Sequence, residues 1–361
     1  MYTSRCYSDV QPLAVTIAHQ QRTNLTMPSL LDLPRELRDI ILDLVVSTPA
    51  VARPDLRNRY FTTAPDRTEL DDLIYVSWTD STNVRYAPRS PCTNSLPLLL
   101  VNRQLHAETL DALHRLPTRH SYELDVVIVD EEALYPTWIS VPALSTRVDR
   151  VYTTIRMLGT SKTSIDRNAF CIGDNARLPP PMAGYFYSLL ERFLACGPVG
   201  PRKDVPLLGL HRLDQDVFDA DADISIKTLD LDVLTPTHVS RHLLAPPQTQ
   251  IWELIRLRRD TGVEFMLHPE YLVAFLWSLI EALLNMDLDM APYGRLFYER
   301  VGTIRLLLDG EVQEAWDLGE RLTWIQVDFL RALGWCRDWK GRAYRMRRRL
   351  GLTVVPFSHG Q

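Results

Sequence analysis

The sequence predicts an α+β fold, and three observations support this prediction. Apolar residues recur at helical spacing in residues 30–46 and again in residues 98–113. Beyond residue 120, four short segments are rich in Val, Ile, Leu and Thr, which is typical of strands. The connections between these segments are long enough to contain helices, which favours a mixed sheet with helices packed on it. With 361 residues and 46% hydrophobic residues, the chain can bury a substantial core.

The first 27 residues are polar and lack apolar periodicity, so we predict a disordered tail there. A first helix is predicted from about Pro34, which suits the first helical turn, to Val46. The pattern places Leu37, Ile41, Leu44 and Val45 on its inner face and Arg35, Arg38 and Asp39 on its outer face.

A long irregular insertion is predicted for residues 47–97, which are rich in Pro, Thr and Arg. A second helix is expected after Pro97, with apolar positions from Leu98 to Leu113. Together, residues 28–120 are interpreted as a helical module that contains this insertion.

Residues 121–336 are interpreted as an α+β domain. Its strands are predicted to start near Tyr122, Val148, Ile224 and Val301. Asp230 and Asp232 alternate with apolar residues, which predicts that one face of their strand meets water. Helices are expected in residues 185–196, from Pro269 to about Met290, and from about Glu311 to Cys336. An irregular leucine-rich-repeat-like arrangement stays open as an alternative.

The net charge of −5 and the isoelectric point near 6.0 argue against a broad surface for nucleic acids or anionic membranes. Residues 337–361 are nevertheless locally basic and are interpreted as a basic tail. Such a tail is a candidate nuclear import signal or phosphate-binding segment, with a solvated helix end as the alternative. Its candidate residues are Arg337, Lys340, Arg342, Arg345, Arg347, Arg348 and Arg349.

Five widely separated cysteines are typical of reduced thiols inside a cell. The longest apolar stretch, residues 271–284, is shorter than the roughly 20 residues of a membrane span. We therefore expect a cytoplasmic or nuclear protein that does not cross a membrane.

The chain contains no nucleophile elbow, phosphate-binding loop, dinucleotide motif or zinc-protease motif. His238 and His242 have helical ligand spacing without a third ligand, and the acidic run at residues 219–223 lacks the glycine and the terminal glutamate of a calcium loop. No catalytic residue, cofactor or metal is therefore predicted. An enzyme with an acid/base site on the strand ends remains the alternative.

Two stretches, "LLDLPRELRDIILDLVV" and "LLLVNRQLHAET", carry a resemblance to a known family. The first resembles the opening of an F-box, the helical module that docks substrate-recognition proteins onto the Skp-type adaptor of cullin-RING ubiquitin ligases. The second resembles a later helix of the same module. The combination, together with "TWISVPALSTRVDRVYTTIRMLG", resembles the uncharacterised F-box-like proteins of filamentous fungi.

This resemblance implies a non-enzymatic adaptor whose module binds the Skp-type protein and whose C-terminal region captures an unknown target protein. An F-box-derived structural protein without ligase binding, in which the same helix packs within the chain, stays open as an alternative. The partner-binding residues that the resemblance implies are Leu33, Pro34, Leu37, Ile41, Leu42, Val45, Val101 and Leu105.

Overall fold

The computed structural model describes most of the chain and confirms the α+β class. The residues described are 29–57, 68–69, 83–87, 93–161, 169–170, 179–198, 224–237, 239–247, 249–286, 290–325 and 339–355. The predicted tail of residues 1–27 lies outside these ranges, as does most of the predicted insertion.

Beyond residue 120, the described strands and helices follow one another in groups. The helices are α1 Arg35–Ser47, α2 Leu96–Leu99, α3 Arg103–Arg115, α4 Pro181–Cys196, α5 Ile251–Thr261, α6 Pro269–Leu284, α7 Ala291–Arg300, α8 Leu318–Trp324 and α9 Trp339–Leu350. The strands are β1 Thr68–Glu69, β2 Arg85–Tyr86, β3 Ser121–Val129, β4 Ala133–Ser140, β5 Arg147–Leu158, β6 Ser225–Val233, β7 Val301–Leu308 and β8 Glu311–Asp317.

Six strands form one mixed sheet in the order β4-β3-β5-β6-β7-β8. The four central strands are parallel, and the two outer strands are antiparallel to their neighbours. The parallel central strands in chain order are compatible with the leucine-rich-repeat-like alternative, whereas the antiparallel outer strands do not belong to a regular repeat. The central strands follow chain order, so right-handed crossovers place the connecting helices on a single face of the sheet.

The two faces of the sheet therefore differ in composition. Apolar side chains such as Val126, Ile155 and Leu231 face α4 and α6, and they form the main core. Asp125, Thr154 and the other side chains that alternate with them point to the opposite face. There, Leu56 packs on Val127, Val129 and Leu158 at the β3 and β5 end of the sheet.

The predicted helix from Glu311 to Cys336 is wrong over its first part, because residues 311–317 form β8. Asp309 and Gly310 adopt positive φ angles of 51° and 85°, which is the geometry of a two-residue hairpin turn. The chain therefore returns along β7 as a strand, and a helix begins only at Leu318. Residues 326–336 lie outside the described residues.

The other helical predictions differ mainly at their ends. The helix predicted from Pro269 to Met290 ends at Leu284, and the second N-terminal helix is divided into α2 and α3. Asn102 causes this division, since its side chain caps α3 by accepting a hydrogen bond from the Leu105 amide at 2.9 Å. Within the described residues, no helix is long and apolar enough to span a membrane.

The prediction that Asp230 and Asp232 face water is also wrong, because both side chains are buried. Asp230 pairs with arginines from β5 and β7, and Asp232 accepts hydrogen bonds from Tyr152 and from the Gly310 amide. Burial of these carboxylates is tolerated because each is hydrogen-bonded.

Candidate functional site

The two N-terminal helices, α1 and α3, pack against each other to form a small helical module. Arg38, Leu42 and Val46 lie one turn apart along α1, and all three are buried. Leu42 and Val46 share an apolar cluster with Ala112 and Leu113 of α3. Residues four positions apart lie on the same side of a helix, so this stripe is the inner face of α1.

The predicted orientation of α1 is therefore wrong. Arg38 was placed on the outer face by the sequence pattern but lies inside the module. Leu37, Leu44 and Val45 were placed on the inner face but are exposed. The reason is that Arg38 has an acidic partner in α3, and this pairing turns the other side of α1 to the surface.

Arg38 and Glu108 form the ion pair at the centre of the module. Arg38 donates from Nε and Nη2 to the two carboxylate oxygens of Glu108 at 2.9 and 2.7 Å, and from Nη1 to the Leu33 carbonyl. Glu108 also accepts a hydrogen bond from Gln104 at 3.0 Å. The hydrogen bond from Arg38 lowers the pKa of Glu108 to about 2, so the carboxylate stays ionised.

Two exposed ion pairs repeat the link between the same two helices. Arg35 Nη2 lies 3.1 Å from Asp111 Oδ2, and Arg115 Nη2 lies 2.9 Å from Asp43 Oδ1. Exposed pairs of this kind stabilise little, about 0–1 kcal/mol. Their contribution is to fix the relative orientation of α1 and α3.

The outer face of α1 exposes large apolar side chains. Leu37, Ile40 and Leu44 are 48%, 56% and 61% exposed, and Val45 is 41% exposed. Leu37, Ile40 and Leu44 are spaced by three and four residues, so they lie along one side of the helix. We call these three residues the α1 outer row. An exposed apolar row on a helix that is already packed on its other side is typical of an interaction surface.

The junction of α2 and α3 exposes further apolar residues. Leu100 is 75% exposed and Val101 is 59% exposed. Leu44 and Val45 also line a shallow surface groove, which they share with Thr48, Pro49, Ala50 and Asn94. The apolar surface of the module thus extends beyond the α1 outer row.

The eight predicted partner-binding residues fall into three groups by burial. Leu42 and Leu105 are buried inside the module and are not accessible to a partner. Leu33 and Ile41 are half-buried. Those that are exposed are Pro34, Leu37, Val45 and Val101.

The sequence interpretation missed Ile40, Leu44 and Leu100 as surface residues. A signal for this was present, because apolar residues occupy seven of the ten positions from Leu37 to Val46. A helix needs only one apolar stripe to pack on its neighbour, so the remaining apolar positions must lie elsewhere on its circumference.

Hydrogen bonds fix the module to the sheet. The Ala50 amide donates to the Ile139 carbonyl at 2.9 Å, at the end of β4. The Ser95 hydroxyl donates to the Pro142 carbonyl at 2.7 Å, and the Asn94 amide donates to the Val141 carbonyl at 3.3 Å. These hydrogen bonds hold the module, and with it the α1 outer row, in a fixed position relative to the sheet.

Most basic residues of the predicted tail belong to helix α9, which packs on the rest of the chain. Lys340, Arg342 and Arg347 of α9 are buried. Arg347 donates to the main-chain carbonyls of Tyr298 and Val301 at 2.8 Å, and burial lowers its pKa to about 10. Those that face the surface are Arg345, Arg348 and Arg349, while Arg337 lies outside the described residues.

The metal-ligand candidates of the sequence lie only partly within the described residues. No cluster of three or more His, Cys, Asp or Glu side chains there can hold a metal ion. His238 and the acidic run at residues 219–223 lie outside the described residues. A cavity of about 70 Å³ between the sheet and the helices is lined almost entirely by apolar side chains, including Val126, Ile155 and Phe193.

The module is thus a helix pair whose interior joins α1 to α3 through an apolar cluster and a buried ion pair. On its outside, the α1 outer row exposes three large apolar side chains. Comparison of the chain with protein-family models, with curated protein sequences and with solved structures found no match.

Proposed function

We propose that the module formed by α1, α2 and α3 docks this chain onto the Skp-type adaptor of a cullin-RING ubiquitin ligase. The observation that carries the proposal is the α1 outer row, Leu37, Ile40 and Leu44, which is exposed although the opposite side of the helix is packed. The resemblance of "LPRELRDIIL" to an F-box selects the partner.

Burial of the α1 outer row supplies part of the free energy of docking. Fully burying one leucine or isoleucine side chain stabilises by about 1.5–3 kcal/mol, and each residue of the α1 outer row is already about half buried. Three such residues therefore offer roughly 3 kcal/mol on association. Association costs about 4–15 kcal/mol, so other contacts of the interface must supply the remainder. Leu100 and Val101 are further exposed apolar residues of the module.

In the alternative, the same helix is only a structural element of the chain. That role is filled by Leu42 and Val46, which pack on α3 without the outer row. The alternative therefore gives no reason for the exposed leucines, whereas docking does. Under the proposal, the recruited ligase performs the chemistry, and the α+β region positions a target protein.

The test is co-expression of the full chain with a Skp-type adaptor from a filamentous fungus, followed by size-exclusion chromatography. The variant L37D/L44D places two charges in the α1 outer row. The control V312D places one charge at an exposed apolar residue of β8, where the side chain is 53% exposed. We expect the wild-type chain and V312D to co-elute with the adaptor and L37D/L44D to elute alone.

Folding is checked by circular dichroism and by the thermal midpoint, which should be unchanged because the substituted residues are exposed. Failure of the wild-type chain to co-elute would contradict the proposal. Co-elution of folded L37D/L44D would contradict the assigned surface.

A further inference from the structure

Two arginines share one buried carboxylate on the sheet face opposite the helices. Arg150 of β5 donates from Nε to Asp230 Oδ2 at 2.5 Å. Arg305 of β7 donates from Nε to Oδ1 at 2.6 Å and from Nη2 to Oδ2 at 2.7 Å. Because β5 and β7 flank β6, the two guanidinium groups converge on Asp230 from both sides.

Both arginines retain unused donors. Arg150 Nη1 and Nη2 and Arg305 Nη1 donate no hydrogen bond within the described part of the chain. The side chains of Arg150 and Arg305 are 46% and 35% exposed. The guanidinium of Arg150 also lies 5.1 Å from the ring centroid of Tyr152, a cation–π contact that holds its plane in place. Three guanidinium nitrogens are thus positioned and available to a ligand.

The acidic groups of this cluster lie beneath the arginines. Asp230 and Asp232 are almost completely buried. Asp232 accepts hydrogen bonds from the Tyr152 hydroxyl and, at 3.0 Å, from the Gly310 amide. The formal charges of the two arginines and two aspartates cancel, but the arginines are partly exposed and the aspartates are buried. A ligand that approaches this face therefore meets guanidinium donors first.

We propose that Arg150 and Arg305 form a binding site for a phosphate or carboxylate group of a ligand. Guanidinium donors match the geometry of both oxyanions and form charge-assisted hydrogen bonds with them. The two arginines are held in place before binding, which reduces the entropy that binding must remove. This site lies on the sheet and involves no residue of the helical module, so it is independent of the proposed adaptor function.

The test is the thermal midpoint of the full chain measured against increasing sodium phosphate, and separately against sodium acetate. Sodium chloride at matched ionic strength is the reference, because a ligand that binds only the folded state stabilises it in proportion to ln(1 + [L]/Kd), in addition to any effect of ionic strength. We expect one or both oxyanions to raise the midpoint above the sodium chloride reference with this dependence on concentration. Phosphate alone, acetate alone or both would identify which group the site accepts.

Two variants and a control assign the effect to the site. R150Q leaves the two hydrogen bonds from Arg305 to Asp230 intact, and it should weaken binding about tenfold or more, since the charge-assisted hydrogen bonds from Arg150 to the ligand are lost. R150K keeps the positive charge but lacks the planar guanidinium donors, so its affinity should lie between those of the wild type and R150Q. R259Q removes an exposed arginine of α5 and should bind as the wild type does.

Midpoints that follow ionic strength alone in the wild-type chain would overturn the proposal. Equal affinity in the wild type, R150Q and R150K would also overturn it. If R150Q does not fold, R150K and the wild-type titration still decide the question.

Discussion

Leu42 and Leu44 lie two residues apart on α1 but on opposite sides of it, which allows a direct test of the helix orientation. Leu42 is fully buried in the cluster with Val46, Ala112 and Leu113. Leu44 is 61% exposed and belongs to the α1 outer row. Replacing each leucine by alanine removes the same atoms from the two sides of one helix.

The expected magnitudes differ widely. A buried leucine-to-alanine change costs about 2–5 kcal/mol, and the cost rises with the volume of the cavity that remains. The α1–α3 cluster is small and can relax, so Leu42→Ala should destabilise the module by about 2–3 kcal/mol. Leu44→Ala should change its stability by less than about 0.5 kcal/mol, as surface substitutions usually do.

The assay is amide hydrogen exchange by mass spectrometry on peptides from residues 35–47 and 103–115. Exchange through opening of the module reports the stability of this unit rather than of the whole chain. Leu42→Ala should speed exchange in both helices by roughly 30- to 150-fold, and Leu44→Ala by less than about threefold. Comparable effects of the two substitutions, or a larger effect of Leu44→Ala, would refute the orientation and with it the exposed row.

Three further predictions concern the Arg38–Glu108 ion pair, the close packing of Gly302 on β6, and the buried Arg347. The pKa of Glu108 is lowered from 4.5 to about 2 by Arg38, so the contribution of this pair is complete above pH 4.5 and is lost as the pH falls towards 2. The difference in unfolding free energy between the wild type and Glu108→Gln should therefore shrink over that range, and a difference independent of pH would contradict it. A Cβ at Gly302 would lie 2.4 Å from the Lys227 carbonyl oxygen, so Gly302→Ala should reduce soluble yield and lower the thermal midpoint; an unchanged midpoint would count against this register of β6 and β7. Arg347→Met leaves main-chain carbonyls without their donor and should cost about 1–3 kcal/mol in chemical denaturation, whereas a loosely attached tail would show no change.

The central strands were predictable because one face of each packs on the helices of the main core. β3, β5, β6 and β7 carry Val, Ile or Leu at most alternate positions on that face, which is the pattern that burial of one face selects. The outer strands lack this signal. β4 contains Pro136, and β8 has an exposed polar sequence whose conformation depends on the turn at Asp309 and Gly310. An Asp-Gly pair is a typical hairpin turn and therefore indicates a strand after it. The helical prediction for residues 311–336 rested on the spacing of apolar residues further along the chain.

The limits of α1 were predictable to within one residue, but its inner face was not. A prediction from apolar periodicity places every arginine on the surface. Arg38 is nevertheless buried, because it pairs with Glu108, which lies 70 positions later. The same reasoning placed Asp230 in water, whereas arginines from two other strands cover it. Partners so distant in sequence are brought together by the tertiary fold and leave no mark on the local pattern.

The outer surface of the helical module is proposed to bind a Skp-type adaptor. The most direct test of this proposal is amide hydrogen exchange of the purified full chain, measured with and without a saturating Skp-type adaptor. We predict that the adaptor slows exchange in residues 35–47 and 96–105 and leaves the strands of the sheet unchanged. No slowing in any peptide, or slowing confined to the sheet and its helices, would contradict the proposal.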